Sequence, residues 1–246
     1  MSIDVLLKKD LIRAPAAHEG EETMDVSTAF SRRQTLRAEQ NYKTKLQPEA
    51  VDYEAMTAFA AEDGVPPALA GLTKGAYKDA ADEEYAVIGR ALEAMEVIEL
   101  EDGLWVVAQS AKAAGGVASA IYTGALARGL AAKWFGFPEL STAFTDRVSM
   151  SARAEEWEQG QMADWLWELD SMRYCYDLLV IHGVTETLLT DFVAKELYSL
   201  LAIRYGRGLF TVVTSRVGGL GEDTAARNSL RLMMEEAYAL YRIGGR

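Results

Sequence analysis

The stretch GLWVVAQSAKAAGGVASAI, residues 103–121, decides the fold of this chain. Residues 104–107 form a short apolar run after Asp102-Gly103, which predicts a buried strand. A turn of small residues follows from Ala108 to Gly116, and residues 117–130 are predicted to form a helix rich in small residues. A strand, a turn and a helix in this order favour a parallel sheet, in which ligands bind at the carboxyl ends of the strands.

The same alternation continues along most of the chain. Apolar residues at helical or continuous spacing predict helices over residues 79–95, 162–172, 191–204 and 227–236 and from Val148, and strands over residues 141–144, 178–181, 210–214 and 237–243. Strands that alternate with helices are typical of an α/β domain whose parallel sheet is covered on both faces. We therefore predict a three-layer core with a sheet of about five parallel strands.

The first quarter of the chain differs in composition from the rest. Residues 1–62 are polar and helix-prone, and Gly64-Val65-Pro66-Pro67 then interrupts the pattern, because paired prolines end helices. We expect a small, partly flexible helical segment over residues 1–62 that binds a partner, followed by the α/β domain over residues 63–246. Cations spread around a predicted helix in this segment are the candidate partner contacts: Arg32, Arg33, Arg37, Lys43 and Lys45.

Composition narrows the class of protein further. The chain has 246 residues, a net charge of −12 and one cysteine, Cys175, which excludes a disulfide framework and a cysteine-based zinc site. No apolar stretch reaches the roughly 18 residues that a membrane span needs, and residues 1–13 lack the features of a secretory signal. We expect a cytoplasmic protein without a membrane partner. Because net acidity repels phosphate backbones, binding to nucleic acid would need a local basic patch, and a basic protein partner is at least as well supported.

The opening stretch resembles, without a gap, the phosphate-binding region of the DnaC/DnaI/IstB family of AAA+ helicase loaders, approximately GLLLxGPPGTGKTHLAxAI. The matching residues are Gly103, Leu104, Ala118, Ala120 and Ile121. A P-loop requires G-x-x-x-x-G-K-[ST] so that backbone amides, a lysine and a hydroxyl hold the phosphates and magnesium. In the resemblance its glycines fall on Ala108 and Ala113, its lysine on Ala114 and its hydroxyl on Gly115. Any nucleotide would have to bind through Lys112, Gly115 and Gly116.

A second family signature, approximately DLLVIDDLG, resembles DLLVIHGVT at residues 177–185. The apolar strand is kept, but His182 and Gly183 replace the acids that organise magnesium and water. A histidine after a strand is also a candidate general base, although no second histidine is near it in sequence. Two altered sites with intact flanks imply an AAA+ fold without ATPase chemistry and without a cofactor, that is, a pseudo-ATPase.

The resemblance extends to the rest of residues 60–246. GVPP at residues 64–67 resembles the GIPP that opens the family's ATPase domain, and residues 190–198 and 204–216 resemble its later strands and helices. Family members contact single-stranded DNA, and their arginines before the final strand reach the nucleotide of a neighbouring subunit. The corresponding candidates here are one local DNA-facing patch of Arg204, Arg207 and Arg216, beside the aromatic residues Tyr205 and Phe210, and Arg227 and Arg231 for a neighbouring subunit of an oligomer.

Three hypotheses of function follow from these observations. In the first, the chain is a replication-associated adaptor that binds a DnaB-type replicative helicase or its loader, without hydrolysing ATP. In the second, it is an active ATP-dependent loader or transposition helper with an unusual phosphate loop. In the third, it is an inhibitor or decoy subunit within a ring of active loaders.

Overall fold

A computed structural model of the protein describes residues 26–44, 51–78, 82–96, 103–150, 156–217, 220–221 and 224–243. The side chains of residues 26–27, 82, 94–96, 147–150 and 156–163 lie outside this description. Lys45 also lies outside the described residues. Within the described ranges no helix is long and apolar enough to cross a membrane.

The described residues form eight α-helices and five strands. In chain order these are α1 (Val26–Lys43), α2 (Tyr53–Glu62), α3 (Asp82–Glu96), β1 (Gly103–Ala108), α4 (Ala111–Leu126), β2 (Ala132–Gly136), α5 (Phe137–Met150), α6 (Glu156–Tyr174), β3 (Leu178–Val184), α7 (Asp191–Gly206), β4 (Phe210–Arg216), α8 (Ala225–Ala237) and β5 (Ala239–Ile243). A single 3-10 turn, Lys74–Tyr77, lies between α2 and α3. All strand pairs are parallel, in the order β2-β3-β4-β1-β5.

The sheet is covered on both faces because its strands are apolar on both faces. In β1, Leu104 and Val106 enter one hydrophobic cluster with α2, α3 and α4, whereas Trp105 and Val107 enter a second cluster with the remaining helices. Side chains alternate between the faces of a strand, so a continuous apolar run buries both of them. The predicted α/β fold with a parallel sheet of five strands is confirmed.

Two boundaries in this core differ from the sequence prediction. The strand predicted at residues 141–144 is wrong: these residues lie inside α5, and the second strand is Ala132–Gly136. Leu140 and Phe144 are both fully buried and four residues apart, which is helical spacing. The helix predicted from residue 117 begins at Ala111. Alanine has the highest helix propensity, and three of residues 111–114 are alanine, so the small-residue stretch extends the helix towards β1.

The two helices at the start of the described chain pack directly on this core. Ala29 and Leu36 of α1 join one cluster, and Met56 and Phe59 of α2 join the other. Gln40 also donates to the carbonyl of Ala132 and accepts from its N–H, at 2.5 and 2.8 Å, and so pairs the exposed edge of β2. The division at residue 62 stays a prediction, but the described residues before and after it pack in the same two hydrophobic clusters.

Candidate functional site at the carboxyl ends of the strands

The turn that follows β1 is too short to form a phosphate loop. β1 ends at Ala108 and α4 begins at Ala111, with Gln109 and Ser110 between them. The Ser110 carbonyl accepts the N–H groups of Ala113 and Ala114, at 3.1 and 3.3 Å. Those amides are thus engaged in the first helical turn, whereas a P-loop points such groups at an anion.

The three residues proposed to hold a nucleotide do not share a loop. Lys112 is exposed on the first turn of α4, and Gly115 and Gly116 are buried within the helix. Both glycines are covered by other parts of the chain. A Cβ atom at Gly115 would lie 2.7 Å from Cε1 of His182, and one at Gly116 would meet the hydroxyl of Tyr77.

His182 is held at the carboxyl end of β3 by polar and aromatic contacts. Its Nδ1 lies 2.9 Å from Oγ1 of Thr214 on β4, and Thr214 Oγ1 accepts the N–H of Gly183 at 2.9 Å. The imidazole also packs on Trp134 of β2, with ring centroids 5.2 Å apart. Three neighbouring strands therefore fix one side chain over the amino-terminal half of α4.

Gly183 has the backbone conformation that this arrangement needs. Its φ is +84°, a region that glycine adopts without strain, and the β3–β4 register shifts between Ile181 and Val184. The resulting bulge lets the Gly183 N–H and the His182 ring reach the same Thr214 oxygen. Nothing lies within 4 Å of a Cβ built at Gly183.

The end of β3 carries no carboxylate at the positions where the family has its acids. The next acid along the chain, Glu186, lies 3.8 Å from Nη1 of Arg227 and is half exposed. Among the residues that the structure places, no three His, Cys, Asp or Glu side chains gather as metal ligands would. At the two positions of the family's acids, His182 and Gly183 have no side-chain oxygen, whereas magnesium prefers oxygen ligands.

Burial lowers the pKa of His182 below its ordinary value of 6.5, so the neutral imidazole is the favoured form. The neutral ring has one N–H donor and one acceptor, which is compatible with a hydrogen bond to the Thr214 hydroxyl.

Acid is expected to weaken the fold through His182. Because its pKa in the folded state is depressed, its contribution to stability is present above pH 6.5 and is lost as the pH falls through the lowered pKa. The loss is bounded at about 1.4 kcal/mol per pH unit. Urea unfolding at about pH 7 and about pH 5, for the wild type and for His182→Gln, measures it. An equal acid loss in both proteins would contradict the role of His182.

Arg204 is not part of a DNA-facing patch. It is fully buried and donates to Oγ1 of Thr211 and to three carbonyls, those of Met172, Tyr176 and Phe210. Burial lowers its pKa to about 10. An arginine sealed inside the domain cannot contact a nucleic acid, so this candidate is corrected to a structural residue.

Arg207 and Arg216 are exposed, but they lie at opposite ends of β4. Arg207 precedes the strand, with its guanidinium 4.4 Å from the ring centroid of Tyr174, and Arg216 ends it. Six steps of about 3.3 Å separate the two ends of the strand by about 20 Å. The grouping of these arginines into one local patch is therefore wrong, and contact of either one with DNA stays a prediction.

The two arginines of α8 have partners within the chain. Arg227 lies beside Glu186, and Arg231 Nη2 donates to Asn228 Oδ1 at 2.5 Å. Contact of either residue with a neighbouring subunit stays a prediction.

The cations of α1 divide into two groups. Arg37 makes two 2.7 Å hydrogen bonds to Asp177, and Arg33 donates to the Tyr174 carbonyl, so both face the domain. Arg32 packs 5.3 Å from the Trp167 ring centroid and Lys43 5.8 Å from that of Phe59. Of these four cations, Lys43 is exposed and the three arginines are half-buried, and contact of any of them with a helicase stays a prediction.

Sequence reasoning missed several residues that build this site. Thr214 was visible as part of the Thr-Ser-Arg end of β4, but its pairing with His182 depends on strand order. Nothing local indicated that Tyr77 would cover Gly116 of α4 or that Trp134 would pack on His182. Their roles arise from contacts between distant parts of the chain.

Comparison with known proteins places the fold. No protein-family model and no curated protein sequence matches the chain. A solved structure of the replication initiator DnaA, bound to AMPPCP and single-stranded DNA, is 14% identical, with a TM-score of 0.55, over 74% of this chain and 52% of that one. A DNA replication initiation factor is 15% identical, with a TM-score of 0.48, over 65% and 44%. PCH-2 of C. elegans is 12% identical, with a TM-score of 0.43, over 67% and 44%.

The DnaA match and the sheet topology together define the class. The chain has the AAA+ fold, a P-loop NTPase-like α/β core with five parallel strands. It spans about half the length of the solved structures that it matches.

Proposed function

We propose that this protein is a replication-associated adaptor that uses the AAA+ fold without hydrolysing ATP. The observation that carries the proposal is the contact of the His182 ring with Gly115. In the helicase-loader resemblance these two positions hold the acid and the hydroxyl that share a magnesium ion. Here their side chains have been replaced by a ring and a hydrogen atom that pack together.

Electrostatics supports the same conclusion. A bound triphosphate needs cations and a divalent ion, and hydrogen bonds to charged groups contribute about 1.5–3 kcal/mol each. The lysine position is Ala114, which is buried, and Lys112 lies on the exposed first turn of the helix. Magnesium requires oxygen ligands, and the end of β3 offers imidazole and glycine instead. This disfavours the alternative of an active loader with an unusual loop.

The link to replication rests on two likenesses. The sequence resembles helicase loaders, and the fold is similar to that of a replication initiator solved with single-stranded DNA. An adaptor without ATPase activity acts by binding, and α1 supplies exposed residues for this, including Tyr42 and Lys43. A DnaB-type helicase or its loader is the proposed partner.

Titration with ATP and magnesium tests the pseudo-ATPase part. We expect no heat of binding in a calorimeter at nucleotide concentrations up to about 1 mM, the level at which binding is worth only about 4 kcal/mol. Lys112→Ala is the matched variant and should behave as the wild type does. Micromolar binding that is weakened in Lys112→Ala would instead favour the active loader.

Capture of a DnaB-type helicase on the immobilised protein tests the adaptor part. We expect Lys43→Glu to weaken capture about tenfold or more, equivalent to about 1.4 kcal/mol. Arg207→Glu is the control, since it makes the same charge reversal on an exposed residue beside β4. Unchanged capture by Lys43→Glu would show that this part of α1 is not the contact surface.

A further inference from the structure

The amino-terminal half of α4, the surface that faces a nucleotide in a P-loop protein, is occupied here by the protein's own side chains. We propose that His182 and Tyr77 form an internal plug, each seated on one glycine of α4, that closes this surface and fixes residues 64–78 to the core. The inference rests on the proposed function, because it names what fills the place of the ligand.

The first half of the plug is the contact between His182 and Gly115. A Cβ at Gly115 would lie 2.7 Å from His182 Cε1, 3.3 Å from Nε2 and 2.8 Å from Cδ1 of Leu69. Real Cβ contacts this short do not occur, so something would have to move. The imidazole cannot easily give way, because Thr214 holds one edge and Trp134 packs against the ring.

The second half is the contact between Tyr77 and Gly116. A Cβ at Gly116 would collide with the Tyr77 hydroxyl, whereas the ring carbon Cζ would lie at an ordinary 3.7 Å. Tyr77 ends the 3-10 turn Lys74–Tyr77, so its hydroxyl reaches α4 from the segment that connects α2 to α3. The collision therefore depends on one oxygen atom.

The connecting segment is anchored beside these contacts. The hydroxyl of Ser119 on α4 donates to the Leu69 carbonyl at 2.6 Å, and the Tyr122 hydroxyl donates to Asp63 at 2.7 Å. Leu69 is 4% exposed and takes part in the contact at Gly115. Together these contacts bind the segment from Asp63 to Tyr77 along one side of α4, between Gly115 and Tyr122.

The glycines themselves argue for the plug. A glycine inside a helix is less favourable than alanine by about 1 kcal/mol, so two in succession weaken α4 unless they serve a contact. If Gly115 and Gly116 served no contact, alanine at either position would stabilise the helix. If they seat the plug, alanine would destabilise the protein, in a way that depends on the partner side chain.

Stability measurements on paired variants separate these cases. We expect Gly115→Ala and Gly116→Ala each to reduce the ratio of folded to unfolded protein about tenfold in urea titrations, as overpacking does. In the His182→Ala background the loss from Gly115→Ala should shrink or reverse, while that from Gly116→Ala stays. In the Tyr77→Phe background the pattern should be the opposite. Each glycine thus serves as the control for the other.

The plug is overturned if Gly115→Ala and Gly116→Ala both stabilise the protein. It is also overturned if each variant loses the same stability in every background. If the alanine variants do not fold, Tyr77→Ala alone decides, because it removes one side chain of the plug and adds no atoms. Hydrogen exchange at residues 65–77 should then be at least about tenfold faster than in the wild type and than in the exposed control Leu240→Ala, and unchanged exchange overturns the plug. Since no nucleotide is added, these results are independent of the ATP titration that tests the proposed function.

Discussion

Replacing Arg204 with methionine is expected to lower the free energy of unfolding by about 3–5 kcal/mol. The buried guanidinium donates four hydrogen bonds, one to Thr211 Oγ1 and one each to the carbonyls of Met172, Tyr176 and Phe210. Each buried acceptor that loses its donor costs about 1–3 kcal/mol. Removing a desolvated charge, whose pKa burial lowers to about 10, offsets part of this loss.

Urea unfolding followed by tryptophan fluorescence measures the change. Arg207→Met is the matched control, because Arg207 is exposed and its removal should cost less than about 1 kcal/mol. Arg204→Lys should recover only a minor part of the loss, since an ammonium group lacks the planar fork that reaches acceptors on α6, on the turn before β3 and on β4 together. A loss below about 1 kcal/mol in Arg204→Met would show that these carbonyls are satisfied without the arginine.

The helical spacing of the sequence indicated that Arg204 is buried, although arginine as a residue type indicates the surface. One face of α7 is formed by residues three and four apart. Leu200 and Leu201 follow Leu197 at these spacings, and Arg204 follows the pair at the same spacings. All four are fully buried. Arginine is seldom buried, so the residue type predicted an exposed position for Arg204, whereas its spacing from the three leucines predicted a buried one. Periodicity was the better guide at this residue.

The fold itself was largely predictable, because four of the five predicted apolar runs are strands and helices lie between them. The strand at residues 141–144 was misplaced because a short apolar run is compatible with a strand or with a buried helix. The β2 strand has the sequence AKWFG, in which Lys133 interrupts the apolar pattern and is paired with Asp63 at 2.7 Å. Such a long-range partner has no local signature.

The sequence indicated where the candidate site lies but not which contacts its residues make. Comparison of residues 103–121 with a phosphate loop identified Ala114 and Gly115 as altered positions. It also led to the expectation of a loop up to residue 116, whereas α4 begins at Ala111. The contacts of Gly115 with His182 and of Gly116 with Tyr77 bring together residues far apart in the chain. Only the packed sheet and helices define them.

Replacing Asp177 with asparagine is expected to release α1 from the domain. Asp177 accepts two hydrogen bonds from Arg37 at 2.7 Å and one from the Ala131 N–H at 2.8 Å, and Arg33 lies 3.7 Å away. The hydrogen bond to Asp177 also raises the pKa of Arg37. Asparagine keeps the shape, but it removes the charge and turns an amide towards a guanidinium. The local loss should be about 3 kcal/mol, since bonds to charged groups contribute about 1.5–3 kcal/mol each.

This loss should be local because α1 has its own set of contacts with the edge of the sheet. Amide exchange over residues 28–44 should accelerate about 100-fold in Asp177→Asn, as expected for a local opening made easier by about 3 kcal/mol. Exchange in β1, β3 and β4 should change far less. Glu39→Gln, which neutralises an exposed carboxylate on the same helix, should leave both unchanged. Equal acceleration of α1 and the central strands would mean that α1 unfolds only with the whole domain. The expected division of the chain at residue 62 would then be wrong.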